Sequence, residues 1–173
     1  MLATAPGSGV VVRTRLPAAL ERLRRRLAGA DVPAHVTLLY PFLPAVGLTP
    51  DVRAALAEIA RGVAPFEVTF AELGRFPGVI YLAPDPTSPF TRLTEAIATS
   101  FPDHPPYGGA FPEVVPHLTL AETDEVRLDA VADAARRGLP FSCHVSAIEV
   151  LTEEVAGGWR RRWRLPLGPG VRP

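Results

Sequence analysis

The 173-residue chain contains no lysine, only one cysteine and no long apolar run. All 18 basic residues are arginine and they balance 18 acidic residues, so the formal net charge is zero. A neutral chain lacks the positive field of a general nucleic-acid or membrane binder, so any anion site must arise from local clustering. The single cysteine, Cys143, excludes an internal disulfide and a cysteine-based zinc site.

From the sequence we expect neither a secretory signal nor a membrane-spanning segment. Residues 1–9 have neither the charged segment nor the apolar stretch of a secretory signal, and the apolar runs elsewhere are too short to cross a bilayer. With 47% apolar residues, the chain has enough apolar surface for a sizeable core. We therefore expect a cytoplasmic protein that makes no membrane contact and is a monomer.

Apolar periodicity and turn residues predict an alternation of strands and helices. Strands are predicted at residues 9–13, 35–40, 66–70, 79–82, 117–120, 141–151 and 159–167. Helices are predicted at 18–28, 50–61, 88–100 and 126–137. The second helix begins with Thr49 as N-cap and Pro50 at the first helical position.

Two groups of arginines leave alternatives open. In the first helix, Arg22, Arg24, Arg25 and Arg26 are predicted to form a solvated face, with a phosphate-attracting patch as the alternative. In the last strand, strict alternation places Arg160, Arg162 and Arg164 on one face and Trp159, Arg161 and Trp163 on the other. That arginine stripe is either solvated or part of a groove that contacts a nucleic-acid backbone.

One short sequence occurs twice, with its histidines 82 residues apart. Pro33-Ala34-His35-Val36-Thr37-Leu38 is similar to Val115-Pro116-His117-Leu118-Thr119-Leu120, and each copy follows a helix and precedes another helix and a strand. The repeat indicates a duplicated unit. We expect two lobes related by pseudo-two-fold symmetry, within a single bilobal domain spanning residues 1–173.

Each copy places a histidine and a threonine on one face of a strand. Since alternate residues share a face, His35 and Thr37 point the same way, as do His117 and Thr119. If the symmetry brings both strands together, the cleft holds two imidazoles and two hydroxyls. Histidine both accepts and supplies protons near neutral pH, and hydroxyls donate to phosphate oxygens. The set therefore suits phosphoryl transfer without a metal.

These motifs resemble the two-histidine phosphoesterase superfamily, which includes bacterial 2′-5′ RNA ligase-like proteins and cyclic phosphodiesterases. The resemblance also rests on Phe76-Pro77-Gly78-Val79-Ile80-Tyr81-Leu82 and Pro105-Pro106-Tyr107-Gly108-Gly109, and it covers most of the chain. It implies a bilobal α+β fold with an antiparallel sheet in each lobe, helices outside, and both motifs on central strands. It further implies that His35 and His117 are the acid–base pair, in an order that the substrate sets. Thr37 and Thr119 then bind the phosphate, with no cofactor or metal.

Five further residues are predicted to contact the substrate. Tyr40, Phe76, Tyr81 and Tyr107 are candidates to stack on a base, with core packing as the alternative. Tyr107 is the best placed, in the loop before the second motif. Arg75, at the end of a strand, is either a phosphate contact or a surface charge.

One position departs from the family pattern. Many RNA-ligase-like members carry an arginine shortly after the second motif, where this chain has Glu122. An acidic side chain there weakens the binding of a long polyanion. We therefore expect hydrolysis of a 2′,3′-cyclic phosphodiester on a nucleotide or an RNA terminus. The alternatives are 2′-5′ RNA ligation and a non-catalytic module that binds RNA or nucleotides.

Overall fold

A computed structural model of the protein describes residues 7–27 and 32–168. Residues 1–6, considered above for a signal sequence, and Ala28, at the predicted end of the first helix, lie outside those ranges. The strands are β1 (Ser8–Arg13), β2 (His35–Leu39), β3 (Phe66–Phe76), β4 (Val79–Asp85), β5 (Leu118–Glu122), β6 (Phe141–Val145), β7 (Ala147–Glu153) and β8 (Trp159–Pro166). The helices are α1 (Ala18–Leu27), α2 (Pro50–Arg61), α3 (Ser88–Ser100) and α4 (Glu125–Arg136). The predicted cap of α2 is confirmed, since the Val52 N–H donates to Thr49 Oγ1 at 3.3 Å.

The strands form two four-stranded antiparallel sheets. The first sheet has the order β2-β1-β7-β8 and the second has the order β5-β4-β3-β6. Each contains a strand–helix–strand unit whose two strands pair with each other, β1-α1-β2 in one and β4-α3-β5 in the other. The α+β class, the two sheets and the pseudo-two-fold repeat are therefore confirmed.

The helix of each unit packs against the motif strand of the other unit. Helix α1 packs against β5 of the second sheet, α3 packs against β2 of the first, and β2 and β5 contact each other. Both motif strands thus meet in the middle of the molecule, yet each is an edge strand of its own sheet. The expectation of central strands is wrong, because the two sheets meet at these edges without merging into one. An edge strand leaves backbone groups available to other partners.

The chain folds around one hydrophobic core that includes buried side chains from both sheets. The residue between histidine and threonine is fully buried in each motif, as Val36 in β2 and Leu118 in β5. Strand alternation consequently turns each histidine and threonine to the opposite face, away from the core. The core therefore fixes the direction of the four candidate side chains.

The single strand predicted over residues 141–151 is wrong. Ser146 separates β6, which pairs with β3 in the second sheet, from β7, which pairs with β1 and β8 in the first. The chain thus crosses between the sheets in the middle of an uninterrupted run of strand-forming residues. No glycine or proline marks this crossing, so the sequence pattern is that of one long strand.

The alternation predicted along the last strand is also wrong. The pairing of β7 and β8 shifts register between Val150 and Leu151, which leaves Arg162 without a cross-strand partner. Arg161 lies opposite Leu151, whereas Trp163 lies opposite the fully buried Val150 and packs against the core. Such a bulge reverses the alternation. Trp159 and Arg161 therefore share one face, and Trp163 is on the other.

Arg24 is not part of a solvated helix face. Arg22, Arg25 and Arg26 are at least partly exposed, but only 4% of Arg24 is exposed. Its Nε donates to the carbonyl oxygen of Thr119 at 3.2 Å, and its Nη1 donates to that of Val32 at 2.8 Å. Arg24 thereby ties α1 to the edge of β5 and to the segment preceding β2.

Replacing Arg24 with methionine keeps the apolar stem and removes both donors. We expect the free energy of unfolding to fall by about 2–4 kcal/mol, because two carbonyl groups lose a charged partner. The control is Arg25→Met, because the exposed pair of Arg25 with Glu21 contributes less than about 1 kcal/mol. Urea unfolding of both variants measures the difference, and equal losses would contradict this role for Arg24.

Candidate functional site

The imidazoles of the two motifs are held in the same way. Nδ1 of His35 lies 2.7 Å from the carbonyl oxygen of Pro33, and Nδ1 of His117 lies 2.8 Å from that of Val115. A carbonyl oxygen only accepts hydrogen bonds, so each Nδ1 carries the hydrogen and donates it. Nε2 is consequently the basic nitrogen of each neutral ring, directed away from the anchoring carbonyl. Each ring can therefore take up or release a proton at Nε2.

Burial and nearby positive charge lower the pKa of the His35 imidazole. Burial of the ring is the main cause that lowers the pKa of His35 below its ordinary value of 6.5, while its hydrogen bond to Pro33 acts in the opposite direction. Arg24, His117 and Arg13 lie near enough to lower this pKa further. His35 is therefore neutral at pH 7, with the Nε2 lone pair free to accept a proton.

Tyr107 connects the two motifs. Its backbone N–H donates to the carbonyl oxygen of Tyr40 at 2.6 Å, its phenol reaches the side chain of Thr37, and its ring lines a cavity beside His117. Burial raises the pKa of the Tyr107 phenol above its ordinary value, so the phenol remains a hydrogen-bond donor at neutral pH. Its φ of 53° lies in the left-handed region, which a tyrosine rarely adopts. The loop thus holds a strained residue at the point where the lobes meet.

An aromatic cluster surrounds His117. The rings of Phe76 and Tyr81 stack with their centroids 4.4 Å apart. The centroid of the His117 ring lies 5.1 Å from that of Phe76 and 5.4 Å from that of Tyr81. Tyr81 is the cross-strand partner of both Gly74 and Thr119. A Cβ atom at position 74 would lie 2.1 Å from the Tyr81 ring. Gly74, which the sequence analysis missed, therefore makes room for this ring; a glycine inside a strand is its signal.

Two cavities flank the motifs. The His35 cavity has a volume of about 380 Å³ and is lined by Gly9, Val11, Val32, His35, Thr37, Tyr40, Leu151, Glu153 and Trp159. The His117 cavity has a volume of about 440 Å³ and is lined by Phe76, Pro77, Tyr107, Phe111, Glu113, Val114, Val115 and His117. The first is bordered by the edge-to-face pair of Tyr40 and Trp159, whose ring centroids are 5.8 Å apart. Each has the size of a small-ligand pocket.

The predicted site residues are brought together with one exception. Tyr40 borders the His35 cavity, Phe76 and Tyr107 border the His117 cavity, and Tyr81 contacts His117. Arg75 does not join them, because alternation along β3 places it on the face opposite Phe76. Its guanidinium instead pairs with Asp129 of α4 at 2.5 Å. Trp159 was missed as a lining residue, since the bulge in β8 has no mark in the sequence.

Residues 7–27 and 32–168 contain neither a metal-binding cluster nor a membrane-spanning helix. No group of three or more histidine, cysteine, aspartate or glutamate side chains is placed to hold a metal ion. No helix in these ranges is long and apolar enough to span a membrane.

Comparisons with known proteins agree with this geometry. A sequence model of the 2′-5′ RNA ligase superfamily matches residues 10–157. The structure of TT0787 from Thermus thermophilus is similar over 95% of this chain and 100% of its own, with 22% identity and a TM-score of 0.66. That of E. coli LigT complexed with 3′-AMP is similar over 96% of this chain and 100% of its own, with 17% identity and a TM-score of 0.59. No curated protein matches the chain significantly.

The packing of Tyr81 over Gly74 gives a stability test. We expect Gly74→Ala to lower the free energy of unfolding by about 1–3 kcal/mol, because the new methyl group displaces the ring. In a Tyr81→Ala background the same change has little effect, since the ring is gone. Gly47→Ala is the control, because its Cβ meets neighbours at ordinary distances of 3.5 Å or more. An undiminished loss in the Tyr81→Ala background would contradict the account.

Proposed function

Since the chain belongs to the 2′-5′ RNA ligase superfamily, we propose that it hydrolyses 2′,3′-cyclic phosphodiesters on nucleotides or RNA ends, with His35 and His117 as base and acid. The observation that carries this proposal is the matched anchoring of the two imidazoles. One neutral and one protonated ring are what a diester hydrolysis requires, since a proton is removed at one side of phosphorus and supplied at the other.

The proposed reaction has one proton transfer at each ring. Nε2 of His35 takes a proton from water as the water oxygen bonds to phosphorus. The bond from phosphorus to one ribose oxygen breaks, and Nε2–H of His117 supplies the proton that this oxygen needs. The hydroxyls of Thr37 and Thr119 donate to the non-bridging oxygens as charge builds there. The product is a nucleoside monophosphate, and proton exchange with solvent restores both rings.

The environment of His35 supports the proposed assignment of base and acid. Burial, together with Arg24, His117 and Arg13, lowers the pKa of His35, which favours its neutral form and the role of general base. His117 then supplies the proton to the leaving oxygen. The sequence alone left this order open.

The flanking cavities support a nucleotide substrate. Tyr40 and Trp159 beside His35, and Phe76 and Tyr107 beside His117, offer ring faces and edges to a base. A structural relative, E. coli LigT, has been observed with 3′-AMP, which is the kind of nucleoside monophosphate that this hydrolysis releases. A diester phosphate between the motifs would have room for its substituents on both sides.

Hydrolysis of the four nucleoside 2′,3′-cyclic monophosphates in excess chelator tests this proposal. We expect turnover by the wild type, and a loss of about 10²–10⁴-fold in both His35→Ala and His117→Ala. His144→Ala is the matched control, because this exposed ring pairs with Glu67 at the far edge of the second sheet. Its turnover should equal that of the wild type.

Four outcomes of that experiment would count against the proposal. Absence of turnover by the wild type would remove cyclic nucleotides as substrates. Loss of turnover in the chelator would require a metal. Equal losses in His144→Ala and the motif variants would indicate a general effect on the fold. Joining of RNA ends without hydrolysis would favour the ligase alternative.

The pH dependence of kcat/KM tests the assignment of the base. Because the pKa of His35 is lowered, His35 is neutral above that pKa and becomes protonated as the pH falls through it. Activity should therefore fall on the acidic side with a midpoint below the ordinary histidine value of 6.5. A midpoint above 6.5 would contradict His35 as the base. Stopped assays across the acidic and neutral range, with stability checked at each pH, give the profile.

A further inference from the structure

We propose that the face carrying His35 also holds a subsite for a second phosphate group of the substrate, formed by Arg13 and Arg161 on either side of Glu149. This inference rests on the proposed function, because the second phosphate belongs to the same substrate as the reacting diester. The net charge of zero requires any such site to arise from local clustering of arginine. These two arginines are clustered around one buried acid.

Arg13 stands beside the reacting group that we assign to His35. It is the last residue of β1 and the direct cross-strand partner of His35 in β2. Directly opposed residues of an antiparallel pair point to the same face, with Cβ atoms about 5 Å apart. The guanidinium of Arg13 therefore extends from the same face as the imidazole, and 43% of its side chain is exposed.

Glu149 of β7 connects Arg13 to Arg161. It lies opposite Val11, which lines the His35 cavity, so its side chain is on that face too. Nη1 of Arg13 is 3.6 Å from Oε2 of Glu149, and Nη1 of Arg161 is 3.4 Å from Oε1. Arg161 is opposite Leu151, another lining residue of that cavity, and 51% of its side chain is exposed.

The ion pairs of Glu149 leave much of both arginines available. Their separations exceed the roughly 2.7–2.9 Å of a strong charge-assisted hydrogen bond. Oε2 of Glu149 is buried and has no hydrogen-bond partner within the described part of the chain. Each guanidinium has five N–H donors, of which the carboxylate engages few. A buried, under-bonded carboxylate destabilises a fold, so its presence between two arginines points to a role in holding them.

A large cavity opens beside Arg13 and Glu149, and Arg161 approaches it through its pair with Glu149 without lining it. It has a volume of about 830 Å³, and its charged lining residues are Arg13, Arg15, Arg25, Glu21 and Glu149. Arg25 pairs with Glu21 at 3.1 Å, which offsets those two charges. Val32 lines both this cavity and the His35 cavity, so the two adjoin. A substrate bound at His35 therefore has room to extend a further phosphate toward Arg13.

Two sources offer this chemistry. The second phosphate is either the 5′-phosphate of the same nucleotide or the next phosphodiester of an RNA strand. Both place an anion one nucleoside away from the reacting group, and planar guanidinium groups bind such oxygens through paired N–H donors. The subsite thus defines the substrate class as a nucleotide or RNA end that carries a second phosphate.

Binding of two product-like probes tests the subsite without turnover. We expect adenosine 3′,5′-bisphosphate to bind the wild type at least about tenfold more tightly than adenosine 3′-monophosphate, as measured by calorimetry. In Arg13→Gln and in Arg161→Gln this advantage should shrink to below about threefold. Arg53→Gln, on the exposed face of α2, makes the same change of charge elsewhere and should keep the full advantage. Circular dichroism checks that each variant is folded.

Equal affinity of the two probes for the wild type would overturn the subsite. The same conclusion would follow if Arg13→Gln and Arg161→Gln lowered the binding affinity of both probes by the same factor. Because the probes are not hydrolysed, these results are independent of whether the proposed hydrolysis occurs.

A kinetic comparison then identifies the source of the phosphate. The kcat/KM for a 5′-phosphorylated cyclic nucleotide and for a dinucleotide with a cyclic end is measured against the unphosphorylated cyclic nucleotide. A higher kcat/KM for the 5′-phosphorylated cyclic nucleotide indicates a nucleotide substrate. A higher kcat/KM for the dinucleotide indicates an RNA end. Either gain should disappear in Arg13→Gln. No gain in either substrate would contradict the proposal.

Discussion

In each motif, the imidazole donates a hydrogen bond from Nδ1 to the carbonyl oxygen two residues earlier, and the proposed chemistry depends on this bond. It fixes which nitrogen of the neutral ring is basic and sets the ring at a defined angle to its strand. Because the bond is local, both copies of the repeat form it independently. The same geometry at both sites then allows one ring to act as base and the other as acid, with the environment deciding between them.

The fold brings the two motifs close together. Neither sheet contains both motifs, and they meet because α1 and α3 each pack on the motif strand of the other unit. Arg24 connects one helix to the carbonyl oxygen of Thr119, and Tyr107 connects Tyr40 and Thr37 to the His117 cavity. Arg24 also adds to the positive charge around His35. Stability and the proton affinity of that imidazole are therefore linked through the same arginine.

Much of this architecture could be predicted from the sequence because it depends on local patterns. The alternation of Val36 and Leu118 with their polar neighbours determines the direction of the motif side chains, and Thr49-Pro50 marks a helix start. The crossing at Ser146 and the bulge at Arg162 could not be predicted, since they arise from pairing between strands distant in sequence. The burial of Arg24 and the pairing of Arg75 with Asp129 likewise depend on tertiary contacts, which a periodic sequence pattern does not indicate.

The most direct test of the account is the protonation state of the two rings in solution. Long-range ¹H–¹⁵N correlation spectra of histidine-labelled protein, recorded through a pH titration, distinguish protonated from unprotonated ring nitrogens. We predict that, when neutral, both His35 and His117 carry the hydrogen on Nδ1, with Nε2 unprotonated. A hydrogen on Nε2 of either neutral ring would break the matched anchoring and contradict the proposed acid–base pair.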